Sequence, residues 1–264
     1  MKNKLLTVFV FVLLIAPIVA KASVIPVEIS AEKSLEWNRK NKTYTASKNV
    51  VITQGDIKIE SDILTARYGG EETVTDISTI EAKDNVVITL PPYVANGDSA
   101  VYNVKTGNAI LTGKNLTVTT NSDVMTADNK IEFFSKENKL VAIGNPKVKH
   151  ELDVITARTM AAYFKKNKNG KMVADKIIAQ GRVKITTPKE IVTGQKAVYN
   201  PLTKKVILTG GVKIKQGENW LEGTSAIVDM ASGISQLLGN DKSKSDGRVK
   251  GVFYPKQTEK KSIE

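Results

Sequence analysis

Residues 101–113 read Val101-Tyr102-Asn103-Val104-Lys105-Thr106-Gly107-Asn108-Ala109-Ile110-Leu111-Thr112-Gly113. Residues 198–210 read Val198-Tyr199-Asn200-Pro201-Leu202-Thr203-Lys204-Lys205-Val206-Ile207-Leu208-Thr209-Gly210. Both begin Val-Tyr-Asn, pass through a polar turn and end Ile-Leu-Thr-Gly. Each is followed by a second alternating stretch, Leu116-Thr117-Val118 in one and Val212-Lys213-Ile214 in the other. A polar break and a closing small residue complete the unit, as Met125-Thr126-Ala127 and Leu221-Glu222-Gly223.

Weaker copies fill the chain between and before these two. Asn49-Val50-Val51-Ile52-Thr53 and Asn85-Val86-Val87-Ile88-Thr89 repeat the opening, and Leu64-Thr65-Ala66, Ile155-Thr156-Ala157 and Val192-Thr193-Gly194 repeat the close. The closing residues Ala66, Gly97, Ala127, Ala157, Gly194 and Gly223 are spaced 31, 30, 30, 37 and 29 apart. That is a period of about thirty with one insertion, at the lysine-rich segment 165–171, and it marks a repeat architecture. Val, Ile and Thr dominate, alternation has period two, and Asn, Gly, Lys and Asp cluster between the runs. Each unit therefore reads as two or three short strands. Residues 31–38 are the best candidate for a turn of helix.

Short hairpins with one apolar face are not stable alone, and stacking successive units buries that face. The alternation gives each strand a dry and a wet side. The inward candidates are Ile57, Ile59, Ile88, Leu111, Leu116, Val118, Val148, Val183, Ile185, Val212 and Ile214. They are aliphatic, and no large side chain is seen to recur in each repeat and fill the middle. An aliphatic trough of this kind suits a lipid acyl chain, at about 0.8 kcal/mol per buried methylene. A dry core would use the same residues.

The start of the chain is a label. Lys2 and Lys4 precede an apolar run, 5–19, and Ala20-Lys21-Ala22 offers a small-x-small site. This is the form of a secretory signal peptide, with cleavage expected after Ala22. Three lysines and no acid leave with residues 1–22, so the net charge falls from +12 to +9. The expected compartment is the periplasm. An uncleaved segment would instead be a membrane anchor. Residues 23–239 are expected to form the repeat domain. Residues 240–264 break the pattern and read as a basic, mostly disordered tail.

Composition removes several chemistries. There is no Cys, hence no disulfide, thiol nucleophile or Cys-ligated metal, and a single His150 cannot build a multi-His metal site. As a general base His150 needs a nucleophile and an orienting carboxylate, and nothing local supplies both. Asp56, Asp98, Asp123 and Asp153 recur near turns, where such side chains cap the backbone. No catalytic residue, metal or cofactor is expected, and the chain reads as a non-enzyme. Nucleic acid is not an expected partner, because export and the lack of a recurring aromatic-basic platform both argue against it. The positive charge has two readings, as a partner for phosphates and acidic sugars or as a solubilising surface.

The motif Val-Tyr-Asn, Thr, then Leu-Thr-Gly, best seen in residues 100–118 and 197–214, resembles the OstA-like family over residues 28–238. The resemblance implies an all-β fold, a bent antiparallel β-jelly-roll built from repeats of about thirty residues and open at both ends. It also implies lipopolysaccharide transport, with lipid A acyl chains held in the apolar interior. Open edges would join molecules head to tail as a homo-oligomer, or to related jelly-roll proteins at the inner and outer membranes. Two other readings of the repeat stand beside it: a carbohydrate-active parallel β-helix enzyme, and a structural scaffold with a dry core.

Overall fold

The computed structural model describes residues 25–69, 76–168, 170, 172–239 and 247–255. The expected signal segment, residues 1–22, lies outside them. The described residues form strands and turns, with no helix, in a meander whose rungs each pair antiparallel with the rung before and the rung after. The rungs are β1 (Glu28–Ser30) with β2 (Ser34–Asn38), then β3 (Thr43–Gln54), β4 (Ile57–Tyr68), β5 (Ile77–Leu90) and β6 (Tyr93–Asn103). Next come β7 (Asn108–Thr112) with β8 (Leu116–Thr119), β9 (Asp123–Ala127) with β10 (Lys130–Phe134), β11 (Lys139–Ile143) with β12 (Lys147–His150), and β13 (Asp153–Thr156) with β14 (Thr159–Lys166). The last are β15 (Met172–Thr186), β16 (Ile191–Asn200), β17 (Lys205–Gln216), β18 (Asn219–Asp229), and β19 (Ile234–Leu238) with β20 (Lys250–Val252). Antiparallel ladders between consecutive rungs replace the parallel β-helix reading.

Every rung bends in the middle. A long strand such as β3 or β17 shifts register at its centre, and elsewhere the rung splits into two short strands. The bend turns each rung into a V with a first arm and a second arm. For β3 the first arm is 43–47 and the second 50–54. The corners alternate between two chemistries. Corners leading from the first arm to the second use left-handed residues: Lys48-Asn49, Asp84-Asn85, Gly144-Asn145, Gly181-Arg182 and Gly210-Gly211. Extra residues in αL geometry are how a bulge bends a strand. The returning corners carry a small residue, Gly97, Ala127, Ala157, Gly194 or Gly223, as the sequence period anticipates. Gly97 shows the reason, since a Cβ there would meet Leu111 and Leu116 at 2.8–2.9 Å. On β4 the corner residue is the buried Ser61, and Ala66 lies in the first arm instead.

Polar side chains stitch one corner to the next. Asn85 Nδ2 donates to Asp62 Oδ2 at 2.7 Å, the Lys114 amide to Asp98 Oδ2 at 3.0 Å, and Asn145 Nδ2 to Asp128 Oδ2 at 3.1 Å. Of the turn aspartates read from sequence, Asp98 thus caps a corner.

Apolar residues on the inner sides of the arms form two clusters. The first runs from Ala46 to Ala142 and includes Ile52, Leu64, Val86 and Leu116. The second runs from Ala157 to Ala226 and includes Val183, Val192, Leu208 and Val212. Two expectations need correction. Residues 31–38 are not helical: Ser34–Asn38 is β2, extended because it completes the ladder of β3. Within 240–264, residues 250–252 form β20 on β18, so part of the expected tail belongs to the sheet. The rest of that segment lies outside the described residues, apart from the flanking 247–249 and 253–255.

Candidate functional site

Between the arms, in the first cluster, lies a cavity of about 160 Å³. Its second-arm wall is Ile57 and Ile59 of β4, Ile88 and Leu90 of β5, Tyr93 and Ala95 of β6, and Val118 of β8. Its first-arm wall is Tyr102, Ala109, Leu111, Ile131, Phe133, Leu140, Phe164 and Met172, with Gly107 at the turn. Strand alternation explains the set: inward residues sit two apart, as in Ile57 and Ile59 or Ala109 and Leu111. The lining is almost wholly carbon. An apolar cavity of this size has room for a benzene-sized group and offers water few hydrogen-bond partners.

The two walls are offset along the ladder. The second arm of β6 faces the first arm of β14, four rungs further on, and the Tyr93 and Phe164 rings meet edge to face with centroids 5.6 Å apart. The first arm of β6 faces back to the second arm of β3, where Tyr102 Oη donates to Gln54 Oε1 at 3.4 Å. The offset is what the right-handed twist of a long sheet produces between its two edges. These contacts bridge the two arms at the mouth of the V.

Polar groups gather at one lip of that mouth. His150 Nδ1 lies 2.8 Å from Asp123 Oδ1, while Ser122 Oγ and Thr120 Oγ1 donate to Asp123 Oδ2 at 2.7 and 3.1 Å. Burial pushes the Asp123 carboxyl up, but hydrogen bonds from Ser122, His150 and Thr120 outweigh it and hold the pKa below the usual value. Burial, with the nearby Asp123 charge, pushes the Tyr93 and Tyr199 hydroxyls up, and burial alone does so for Tyr102. These phenols stay protonated donors. The carboxylate partner of His150 is Asp123 of the adjacent β9, and not the sequence neighbour Glu151. The nearby hydroxyls bond to Asp123, so they are not set up as nucleophiles activated by His150. Among the described residues, no group of three or more His, Asp and Glu side chains is placed to hold a metal.

Of the eleven inward candidates, the structure brings Ile57, Ile59, Ile88, Leu111 and Val118 together on the cavity. Leu116 is fully buried beside it in the same core. Val183, Ile185, Val212 and Ile214 are buried in the second cluster, and Val148 packs against that cluster from its edge. The reading that no large inward side chain recurs is overturned. Tyr68, Tyr102, Phe133, Phe164 and Tyr199 sit near the first-arm tips of alternate rungs, on the inner side. The tyrosine of each Val-Tyr-Asn motif, Tyr102 and Tyr199, was the available signal.

The model of the family described as LptA/(LptD N-terminal domain) LPS transport protein matches residues 28–139 and again residues 126–234. The chain belongs to this family of lipopolysaccharide transport proteins. Its two matches follow one another with an overlap at residues 126–139, the first holding most of the first apolar cluster and the second all of the buried residues of the second. Among solved structures, the chain is similar to LptH of Pseudomonas aeruginosa, described as the LptA homologous periplasmic component of the lipopolysaccharide transport device. The similarity has 21% identity and a TM-score of 0.41, and it covers 50% of this chain and 95% of that one. No curated protein matches the chain.

Proposed function

We propose that this family member is a non-enzymatic periplasmic carrier that shelters lipid A acyl chains between its arms and joins related jelly-roll proteins end to end. The observation that carries this reading is the carbon-lined cavity behind Tyr93 and Phe164. Burial there contributes about 0.8 kcal/mol per methylene. A chain longer than the cavity runs out past the two rings at its mouth, which favours release to a neighbour over a deep trap. Ile57, Ile59, Ile88, Leu111 and Val118 would line that site. Leu116, Val148, Val183, Ile185, Val212 and Ile214 would extend the trough at its floor and into the second unit.

End-to-end joining rests on the edges. Among the described residues the first rung pairs only with β3 and the last only with β18, and exposed apolar residues such as Leu35, Trp37 and Ile234 lie on these edge strands. Unpaired edges are templates for strand addition, and contacts that do not close on themselves propagate. The tandem family matches fit this: one chain holds in a continuous sheet two units that separate molecules would join through their edges.

The test is native mass spectrometry of the processed protein with lipopolysaccharide or lipid A, and its intact mass also reports cleavage after Ala22. Saturable adducts competed by lipid A but not by free sugar support the carrier. A stable monomer with no adducts would leave a dry scaffold.

A further inference from the structure

The outer face of the second arm changes character along the sheet. In β3 to β9 its central rows carry Thr53, Glu60, Asn96 and Thr117, and their one charged pair is neutralised internally, with Lys58 Nζ 2.8 Å from Glu60 Oε1. From β12 onward the same rows turn basic. Register sets Lys147 beside Thr156, Thr156 beside Lys184, Lys184 beside Thr193 and Thr193 beside Lys213. One step nearer the strand tips lie Lys149 and Lys215. All five lysines are exposed, and Glu222 is the single acid on these two rows of β12 to β20.

Residues two apart on a strand are about 7 Å apart and alternate strands about 10 Å apart, close to the screening length of ~8 Å at physiological salt. The positive potentials therefore add. None of Lys147, Lys149, Lys184, Lys213 and Lys215 has an ion pair among the described residues, and Lys213 Nζ sits 4.4 Å over the Trp220 ring. Edge protection does not account for them, since most lie on strands paired on both sides. The basic field ends at an aromatic border. Trp220 is the cross-strand neighbour of Lys215 and of Val252, and Tyr254 follows with 57% exposure, its amide bonded to Asn219 Oδ1, while the Phe253 ring lies by Gly251 and Leu221 on the other side of the strand.

We infer that this face, from β12 to β20, docks on the anionic head groups of a phospholipid bilayer. Lysines spread across a sheet cannot converge on one phosphate, whereas a bilayer presents many at similar spacing. Aromatic rings beside clustered lysines are the usual interfacial anchors. Aromatic groups confined to one end do not make the recurring stacking platform of a nucleic-acid binder. The inference does not depend on the acyl cavity.

The test is co-sedimentation of the protein, with residues 1–22 shown by intact mass to be removed, with vesicles of phosphatidylglycerol and phosphatidylethanolamine and no lipopolysaccharide. Binding is expected, falling with salt and absent on phosphatidylcholine, with each lysine contributing about five-fold in partitioning. The triple variant Lys149→Glu, Lys213→Glu, Lys215→Glu should lose binding by about a hundred-fold or more. The triple variant Lys40→Glu, Lys105→Glu, Lys136→Glu, of equal net charge but off this face, should retain most of it. If the first variant does not fold, the glutamine versions at the same positions replace it, with loss again expected. No binding to anionic vesicles, equal loss in both triple variants, or equal binding to phosphatidylcholine would overturn the inference. Retention of RNA in place of vesicles would do so as well.

Discussion

Tyr93 and Phe164 meet edge to face at 5.6 Å although four rungs separate them in the ladder. The pair joins the second-arm tip of β6 to the first-arm tip of β14 and stands at the mouth of the cavity. Phe164→Ala removes an aromatic contact and leaves the opening wider. A loss of about 1–3 kcal/mol in unfolding free energy is expected for this half-buried ring. Dissociation of a fluorescent lipid A analogue should also speed up, while Phe164→Leu restores most of the stability. Unchanged release from a folded Phe164→Ala protein would deny the rings a gating role.

Ala95 lies on the cavity wall beside Val118 and Ile88 in register. Ala95→Phe fills the space without burying charge, so folding should survive with a change of about 1–3 kcal/mol or less. Lipid adducts in native mass spectra should disappear. Ala161→Phe, on the opposite face of its strand from the buried Met160, is the control expected to keep them.

Gly97 is the returning corner of β6, where a Cβ would press on Leu111 and Leu116. Gly97→Val should cost about 1–3 kcal/mol by overpacking, seen in urea melts. A neutral result would mean the corners adjust more freely than their spacing implies.

Asp123 has a folded-state pKa below its unfolded value, held there against burial by Ser122, His150 and Thr120. The sign follows: its stabilisation is full above the unfolded value, about pH 4, and is lost as pH falls through the lower folded value. Asp123→Asn should therefore melt below the parent at pH 7, and the gap should close as the pH is taken below about 4. Melting curves from pH 3 to 7 check this.

Much of the ladder was legible in the sequence because strand alternation and corner chemistry are local. Gly97, Ala127, Ala157, Gly194 and Gly223 each report a corner that must stay small. What stayed hidden depends on offset between the arms. Nothing in the sequence pairs Tyr93 with Phe164 or Tyr102 with Gln54, because twist brings together rungs three or four apart. The aromatic column escaped notice because Tyr and Phe interchange along it and its spacing varies with the insertion near Lys165. The split of the eleven inward residues between two cores follows from the tandem units, which one continuous period conceals. Residues 34–38 and 250–252 are strands only because a neighbouring rung offers them a ladder.

Among the described residues, the backbone ladders of each rung run only to its immediate predecessor and successor in the chain. No ladder waits for a distant segment to be made. Contact order is therefore low for an all-β protein, and loop closures between rungs are short. A chain that becomes available amino end first could add one V at a time to a growing sheet. The first unit would be largely built before the second. The Tyr93–Phe164 contact and the Met172 wall must wait, so the first cavity is completed only when β14 and β15 arrive.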